Sequence, residues 1–291
     1  MLQRPGDGAP IRPEEGDGPH LPPLDLLAPG ALKPFLARHG LWAKKGLGQH
    51  FLQSRPVVES IVARVVEHGV LEIGPGPGIL TAPLTAVAAR VIALEVDAGM
   101  VQALAESAPE ADVRRQDALQ ADLAAILDEL PEPRALVSNL PYYITGPLLT
   151  AIAGARVRFS KAVLMMQREV AQRVLAAPRE PARGSLSVFL QAQFQISKLA
   201  DVPAGAFMPP PKVDSTVLEL VPFERECSPE FFRLIRTGFT QPRKTLVNNL
   251  LGLGLSRDAV VAAIARAGLG ERARPQELSF EEWVRLEEAL R

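Results

Sequence analysis

One glycine-rich run and a few polar positions in this sequence have the types and spacing of a small-molecule site. Gly74-Pro75-Gly76-Pro77-Gly78 directly follows the apolar run Val70-Leu71-Glu72-Ile73. Glycines there permit a tight turn and let backbone approach a ligand closely. Glu95 closes the next apolar run about 20 residues further on, the spacing at which a carboxylate can hold both hydroxyls of a ribose. Asp117 follows a third short strand, Val113–Gln116, and Asn139-Leu140-Pro141-Tyr142 follows a fourth. The side-chain oxygen of Asn139 and the carbonyl of Leu140, its direction set by Pro141, could accept the two N–H groups of an exocyclic amine. Both tyrosines of the chain, Tyr142 and Tyr143, lie here, and a tyrosine ring could stack on a planar base for ~1–3 kcal/mol. Phe207, at the head of a proline-rich loop, could cover the other face, although such a ring is more often an ordinary core phenylalanine. Taken singly, the glycines could be a plain strand-to-helix turn, Glu95 a solvated strand end and Asn139–Tyr142 a proline-bounded turn. Their recurrence at successive strand ends is what points to a ligand.

The elements that position these residues alternate. Short strands are expected at 70–73, 91–95, 113–116, 135–138 and 161–166, with helices at 56–66, from 80, at 100–105, at 119–130, after 143 and at 167–176. Strand-helix alternation implies parallel pairing with right-handed crossovers, and near-continuous apolar strands imply that both sheet faces are covered. Residues 191–199 and 215–221 read as an antiparallel pair, completing seven strands, and 229–291 as several short helices. The fold class is therefore α/β, a mostly parallel sheet with a small C-terminal helical domain. Open parallel sheets bind ligands at the carboxyl ends of their strands, where all four features fall.

The dinucleotide fingerprint needs a third glycine where this chain has Ile79, and no Gly-Lys-Ser/Thr follows to make a P-loop. Gly-x-Gly-x-Gly with Glu after the second strand is closer to the Rossmann-like class I S-adenosylmethionine (SAM) methyltransferases. An exocyclic purine nitrogen is a weak nucleophile because its lone pair is delocalised. Accepting hydrogen bonds from its N–H groups favours a pyramidal nitrogen with a freer lone pair, and positioning can supply several kcal/mol. No dedicated base is required, since the nitrogen becomes strongly acidic only after methylation.

Together these residues resemble the KsgA (RsmA) family of ribosomal RNA adenine dimethyltransferases. The resemblance runs from Lys44-Lys45-Gly46-Leu47-Gly48-Gln49-His50-Phe51-Leu52 through the glycine run, Glu95-Val96-Asp97, Gln116-Asp117-Ala118 and Asn139–Tyr143. It continues through the Phe207–Ser215 loop to Arg243-Lys244. It implies transfer of two methyl groups from SAM to N6 of each of two adjacent adenosines near the 3′ end of 16S rRNA in the small ribosomal subunit, with a role in subunit biogenesis. By similarity His50 and Leu52 border the SAM methionine and Gly74 sits under it, with Gly76 of the same run a further cofactor-binding candidate. Glu95 takes the ribose, Asp117 the adenine, and Asn139 lies between cofactor and target base. Relatives often carry Asn where this chain has His50. The rival readings are a large-subunit adenine dimethyltransferase of the antibiotic-resistance type and a non-catalytic ribosome-assembly factor. Glutamine and DNA-adenine methyltransferases usually place proline where this chain has Leu140.

Charge and composition set the partners. The chain has 291 residues with 32 basic and 33 acidic side chains, so any RNA must be held by local patches. Arg233, Arg236, Arg243 and Lys244 lie in the stretch 232–257, which contains no acid; Lys44 and Lys45 form a second group near the cofactor motif. Cys227 is the only cysteine and there are four histidines, so neither a disulfide framework nor a metal centre is expected. No apolar run reaches the ~20 residues of a membrane span. A monomer in the cytoplasm is the expectation. Residues 1–40 hold 8 of the 27 prolines and 6 of the 22 glycines and read as a disordered extension, ahead of a methyltransferase domain over 41–223 and a helical RNA-contacting domain over 224–291. Acidic residues and the absence of serine there argue against a transit peptide.

Overall fold

The computed structural model describes residues 24–43 and 49–291. Its strands are β1 (Phe51–Leu52), β2 (Gly69–Ile73), β3 (Arg90–Glu95), β4 (Asp112–Arg115), β5 (Arg134–Asn139), β6 (Lys161–Gln167), β7 (Phe194–Val202), β8 (Phe207–Met208) and β9 (Ser215–Pro222). The helices of the first part are α1 (Leu32–Arg38), α2 (Arg55–Val62), α3 (Thr81–Thr85), α4 (Ala98–Ser107), α5 (Leu123–Asp128), α6 (Thr145–Gly154), α7 (Arg168–Leu175) and α8 (Ser185–Gln191). Four more follow, α9 (Pro229–Gly238), α10 (Leu246–Leu250), α11 (Arg257–Arg266) and α12 (Phe280–Leu290). The main sheet has seven strands in the order β4-β3-β2-β5-β6-β9-β7. Strands β4 to β6 pair in parallel, and β9 joins β6 and β7 antiparallel. The expected α/β class and mostly parallel seven-stranded sheet are observed.

Period-two alternation divides the core. Val70, Val91, Val137 and Val163 pack with buried residues of α1–α4, including Phe35, Ile61, Leu84 and Met100. Their neighbours Leu71, Ile92, Leu136 and Leu164 pack with Ile126, Leu149 and Val174 from α5–α7. A third cluster joins Val188 of α8 to Phe231, Leu234, Trp283 and Leu286 of the C-terminal helices, so α8 is the bridge between the two parts. Several helices start on side-chain caps: Asp97 accepts from Gly99 N, Ser228 from Phe231 N, and Ser279 forms a capping box with Glu282.

Two expectations need correction. The extension through residue 40 is not wholly disordered: Leu26, Leu32, Phe35 and Leu36 are buried, the last three on one face of α1. Their helical spacing outweighs the local proline content. Residues 1–23 lie outside the described residues. Helix α8 has no counterpart among the expected elements; at its start Ser187 Oγ accepts from Gly184 N at 2.9 Å.

Candidate active site

The chain leaves β2 toward β3 and β4 on one side and returns to β5 and β6 on the other. That reversal opens a crevice at the carboxyl ends of β2 and β5. The cleft found there is lined by His50, Leu52, Gly74, Gly76, Glu95, Asp117, Asn139, Leu140, Pro141 and Tyr142, ten of the residues singled out from sequence.

The glycine run turns because its glycines occupy left-handed backbone. Gly74, Gly76 and Gly78 have φ of 70°, 56° and 94°. A Cβ on Gly76 would sit 3.4 Å from the Phe51 ring, and one on Gly78 would lie 2.5 Å from Ser107 Oγ. The latter cannot swing away freely, since it donates to Pro77 O at 2.8 Å. These glycines therefore serve both the turn and the packing of the loop between β1 and α4.

Glu95 sits at the end of β3, 5% exposed. Its carboxylate accepts from Gly76 N at 3.1 Å and Asp97 N at 2.8 Å, which locks it to the glycine loop. Burial raises its pKa, and the backbone N–H groups of Asp97, Gly76 and Val96 oppose that. Asp117 is exposed, and one oxygen accepts from Leu119 N at 2.9 Å, leaving the other for a ligand. Val96 and Leu119 line the same end of the cleft although both are partly exposed apolar side chains, a setting that suits a planar ring.

Sequence reasoning missed Glu72. It lies on β2 beneath the glycine run, lines the cleft and is 1% exposed. Burial pushes its pKa up to about 8; the Thr81 hydroxyl offsets part of this and the Glu95 carboxylate adds to it. Glu72 Oε2 and Thr81 Oγ1 are both buried without a hydrogen-bond partner, so that hydroxyl is near but poorly aligned. The available signal was a carboxylate within an otherwise apolar central strand.

Asn139 ends β5, and its Nδ2 donates to His50 O at 3.2 Å, which leaves the side-chain oxygen free to accept. Thr145 Oγ1 and Ile144 N both donate to Pro141 O, at 3.1 and 3.2 Å, and fix the Leu140–Tyr142 turn. Tyr142 stacks on His50 with centroids 5.6 Å apart, and its hydroxyl bonds Ser215 Oγ at 2.6 Å. His50 Nδ1 lies 2.8 Å from Pro209 O; a carbonyl only accepts, so Nδ1 carries the proton. Tyr143, the second tyrosine of the pair singled out from sequence, is 54% exposed and also lines the cleft.

Phe207 is a correction. It is 4% exposed, belongs to the core cluster that holds Leu52, and does not line the cleft. Strand β8 pairs antiparallel with β1, Leu52 opposite Phe207, so the loop anchors the His50 segment and does not cover a base with this ring. Arg233, Arg236, Arg243 and Lys244 are all exposed, and none forms an ion pair with a described residue. Lys44 and Lys45 lie outside the described residues.

A family model described as ribosomal RNA adenine dimethylase matches residues 40–291. Proteins named ribosomal RNA small subunit methyltransferase A are similar throughout. The one from Lactiplantibacillus plantarum is 36% identical over 288 residues, covering 92% of this chain and 96% of its own. That from Streptococcus sanguinis is 39% identical, covering 89% and 96%. Among solved structures, a dimethyladenosine transferase from Plasmodium falciparum superposes with a TM-score of 0.69 at 25% identity, over 81% of this chain and 96% of that one. The 23S rRNA methyltransferase ErmE gives 0.63 at 28% identity, over 82% and 99%. A cleft built at the strand ends by a glycine loop, three carboxylates and an Asn-Leu-Pro-Tyr turn thus meets a match across the chain from residue 40 onward, and the protein belongs to the ribosomal RNA adenine dimethylase family of methyltransferases.

Proposed function

We propose that this chain dimethylates N6 of two adjacent adenosines near the 3′ end of 16S rRNA in the small ribosomal subunit, with SAM as methyl donor. The observation that carries the reading is Asn139. Its NH2 is engaged by His50 O, so its oxygen is the atom presented to an incoming amine. The Leu140 carbonyl is the second acceptor, held by the Pro141 turn.

The cleft fits SAM. The glycine turn brings backbone to the cleft wall where side chains would crowd Phe51 and Ser107. Glu95, already gripping the loop, is placed for ribose hydroxyls; Asp117, beside Val96 and Leu119, is placed for the adenine. Glu72 offers a buried carboxyl to the cationic end of the donor. When bound, SAM supplies a methyl group on a sulfonium sulfur that leaves as a neutral thioether.

The chain's residues act by holding the amine. Asn139 and Leu140 accept its two N–H groups and turn the lone pair toward the donor, and Tyr143 at the cleft mouth is free to stack on the base. After one methylation a single N–H remains, so only one of the two acceptors keeps its donor while the other faces the added methyl. The small-subunit assignment follows the curated relatives at 36–39% identity over the large-subunit enzyme at 28%. Incubating the purified chain with unmethylated small subunits and SAM, followed by nucleoside analysis of the rRNA, tests the reading. N6,N6-dimethyladenosine at two adjacent 16S positions is expected; its absence, or its appearance only in large-subunit rRNA, overturns it.

A further inference from the structure

The two adjacent tyrosines of the cleft are held very differently. Tyr143 is 54% exposed, and its side chain forms no hydrogen bond or ring stack with a described residue. Tyr142 is fixed from two sides by segments far from it in the chain. Its ring stacks on His50, with centroids 5.6 Å apart and planes 25° from parallel, and its hydroxyl lies 2.6 Å from Ser215 Oγ. Burial pushes the phenol above its ordinary pKa, against the Ser215 bond, so the group stays a neutral O–H.

Both partners are themselves anchored. Ser215 opens β9, pairs with Gln167 of β6 on one side and Val202 of β7 on the other, and is fully buried. His50 precedes β1, whose Phe51 and Leu52 pair with Met208 and Phe207, and its Nδ1–H donates to Pro209 O at 2.8 Å. The loop from Pro209 to Ser215 is pinned at its far end as well. There the Asp214 carboxylate accepts from Ala204 N at 2.9 Å and pairs with Arg168 at 2.9 Å. The same His50 supplies the backbone oxygen that holds Asn139 Nδ2. One residue therefore touches both the amide that accepts the target amine and the ring beside it. A tyrosine without such partners samples several rotamers, whereas here the ring orientation is set in the free protein.

We infer that His50 and Ser215 are positioning residues, which hold the Tyr142 ring as a fixed wall beside Asn139 and matter most for the second methyl transfer. The inference rests on the adenine dimethylation reading above and deepens it. Both ring contacts of His50, to Tyr142 and to Pro209 O, lead to this wall and not to the glycine run. In the first transfer two N–H groups are accepted, by Asn139 Oδ1 and the Leu140 carbonyl, and together they orient the amine. The nitrogen lone pair forms the new N–C bond, the sulfonium sulfur keeps the C–S electron pair, and the nitrogen then releases one proton to water. A single N–H remains, so one acceptor has lost its donor. Orientation for the second transfer then depends more on the wall against which the base lies, and a loosened wall penalises that step more than the first.

The test compares full-length wild type with Ser215→Ala, Tyr142→Phe, the two combined, His50→Ala and His50→Asn. Single-turnover rate constants for each methylation are measured on unmethylated small subunits, with the ratio of N6-methyladenosine to N6,N6-dimethyladenosine. SAM binding is followed by calorimetry and the fold by thermal melting. Ser215→Ala and Tyr142→Phe should each slow the second transfer by about fivefold, the loss of one hydrogen bond, and the first transfer by less. Their combination should go no further than either alone, because both remove the same bond. His50→Ala should slow the second transfer by about tenfold or more, with monomethyl product accumulating and SAM affinity within about twofold of wild type. His50→Asn, which can still donate to Pro209 O, should recover part of that loss. Tyr142→Phe keeps the ring and its packing, so it decides the matter if a substitution at Ser215 or His50 weakens the fold. Equal slowing of both transfers, or a wild-type product ratio, in folded variants would overturn the inference while leaving the dimethylation reading intact. So would a His50→Ala defect that appears in SAM affinity and not in the second rate. A wild type that methylates no rRNA would instead remove the dimethylation reading itself.

Discussion

Replacing Glu72 by Gln tests the electrostatics at the floor of the cleft. In the folded chain this carboxyl keeps its proton until about pH 8, whereas the ordinary glutamate value is 4.5. The sign follows from proton counting. Between these values the folded state holds a proton that the unfolded state has released, so stability falls as pH rises through that window. At about 1.4 kcal/mol per pH unit, the contribution reaches roughly 3 kcal/mol of destabilisation at pH 7 and vanishes below pH 4.5. Glutamine has nearly the shape of the protonated acid and no proton to lose. Glu72→Gln should therefore match the wild type near pH 4.5 and exceed it by about 3 kcal/mol at pH 7, equivalent to roughly 5–10 °C in Tm. Denaturant titrations of both proteins across pH 4.5–8 give the difference directly and cancel every other titrating group.

Cofactor binding should move the opposite way. SAM carries a net positive charge and is favoured by an ionised Glu72, so wild-type affinity should rise as pH approaches 8 while the variant's stays flat and weaker. Calorimetry in buffers of different ionisation enthalpy should detect a proton released on SAM binding by the wild type alone. If wild type and variant showed the same stability difference at pH 4.5 and pH 7, the picture of a neutral buried acid would be wrong.

Other outcomes follow from neighbouring residues. Asn139→Ala should reduce single-turnover methylation by about 100-fold or more while subunit co-sedimentation survives. Gly78→Ala places a Cβ 2.5 Å from Ser107 Oγ at φ 94°, and should lower denaturant-measured stability by about 2 kcal/mol or more. Phe207→Ala should cost about 3–5 kcal/mol of stability as a core deletion. Tyr143→Ala, at an exposed position, should stay within about 0.5 kcal/mol in the same titration and raise the KM for subunits if that ring stacks on the base.

What could be read from the sequence was governed by how locally each feature is specified. The parallel strands announce themselves because burial on both faces demands unbroken apolar runs, and strand ends in such sheets are where ligands go. Glu95 and Asn139 were legible for that reason, each lying at the end of an apolar run, whereas Asp117 follows the polar edge strand Val113-Arg114-Arg115-Gln116 and was legible only from the strand-helix alternation. Phe207 was misplaced because its burial depends on pairing with Leu52, a contact 155 residues away that no local pattern records. The packing of α1 under the sheet and the bridging of α8 to the C-terminal helices were hidden in the same way.

Glu72 and Arg183 show a further kind of information that local pattern withholds. A charged residue in a sequence is expected in solvent, yet both are almost fully buried, and both have a polar atom without a partner. Burying such a group without compensation costs several kcal/mol, more than most single interactions return. One lies beneath the cleft where a cationic cofactor fits, and the other lies where the sheet part meets the C-terminal helices. Glu72 is therefore better explained by the charge of what binds there, whereas Arg183 joins the two parts through its bonds to Ala176 O, Gln191 Oε1 and Leu278 O.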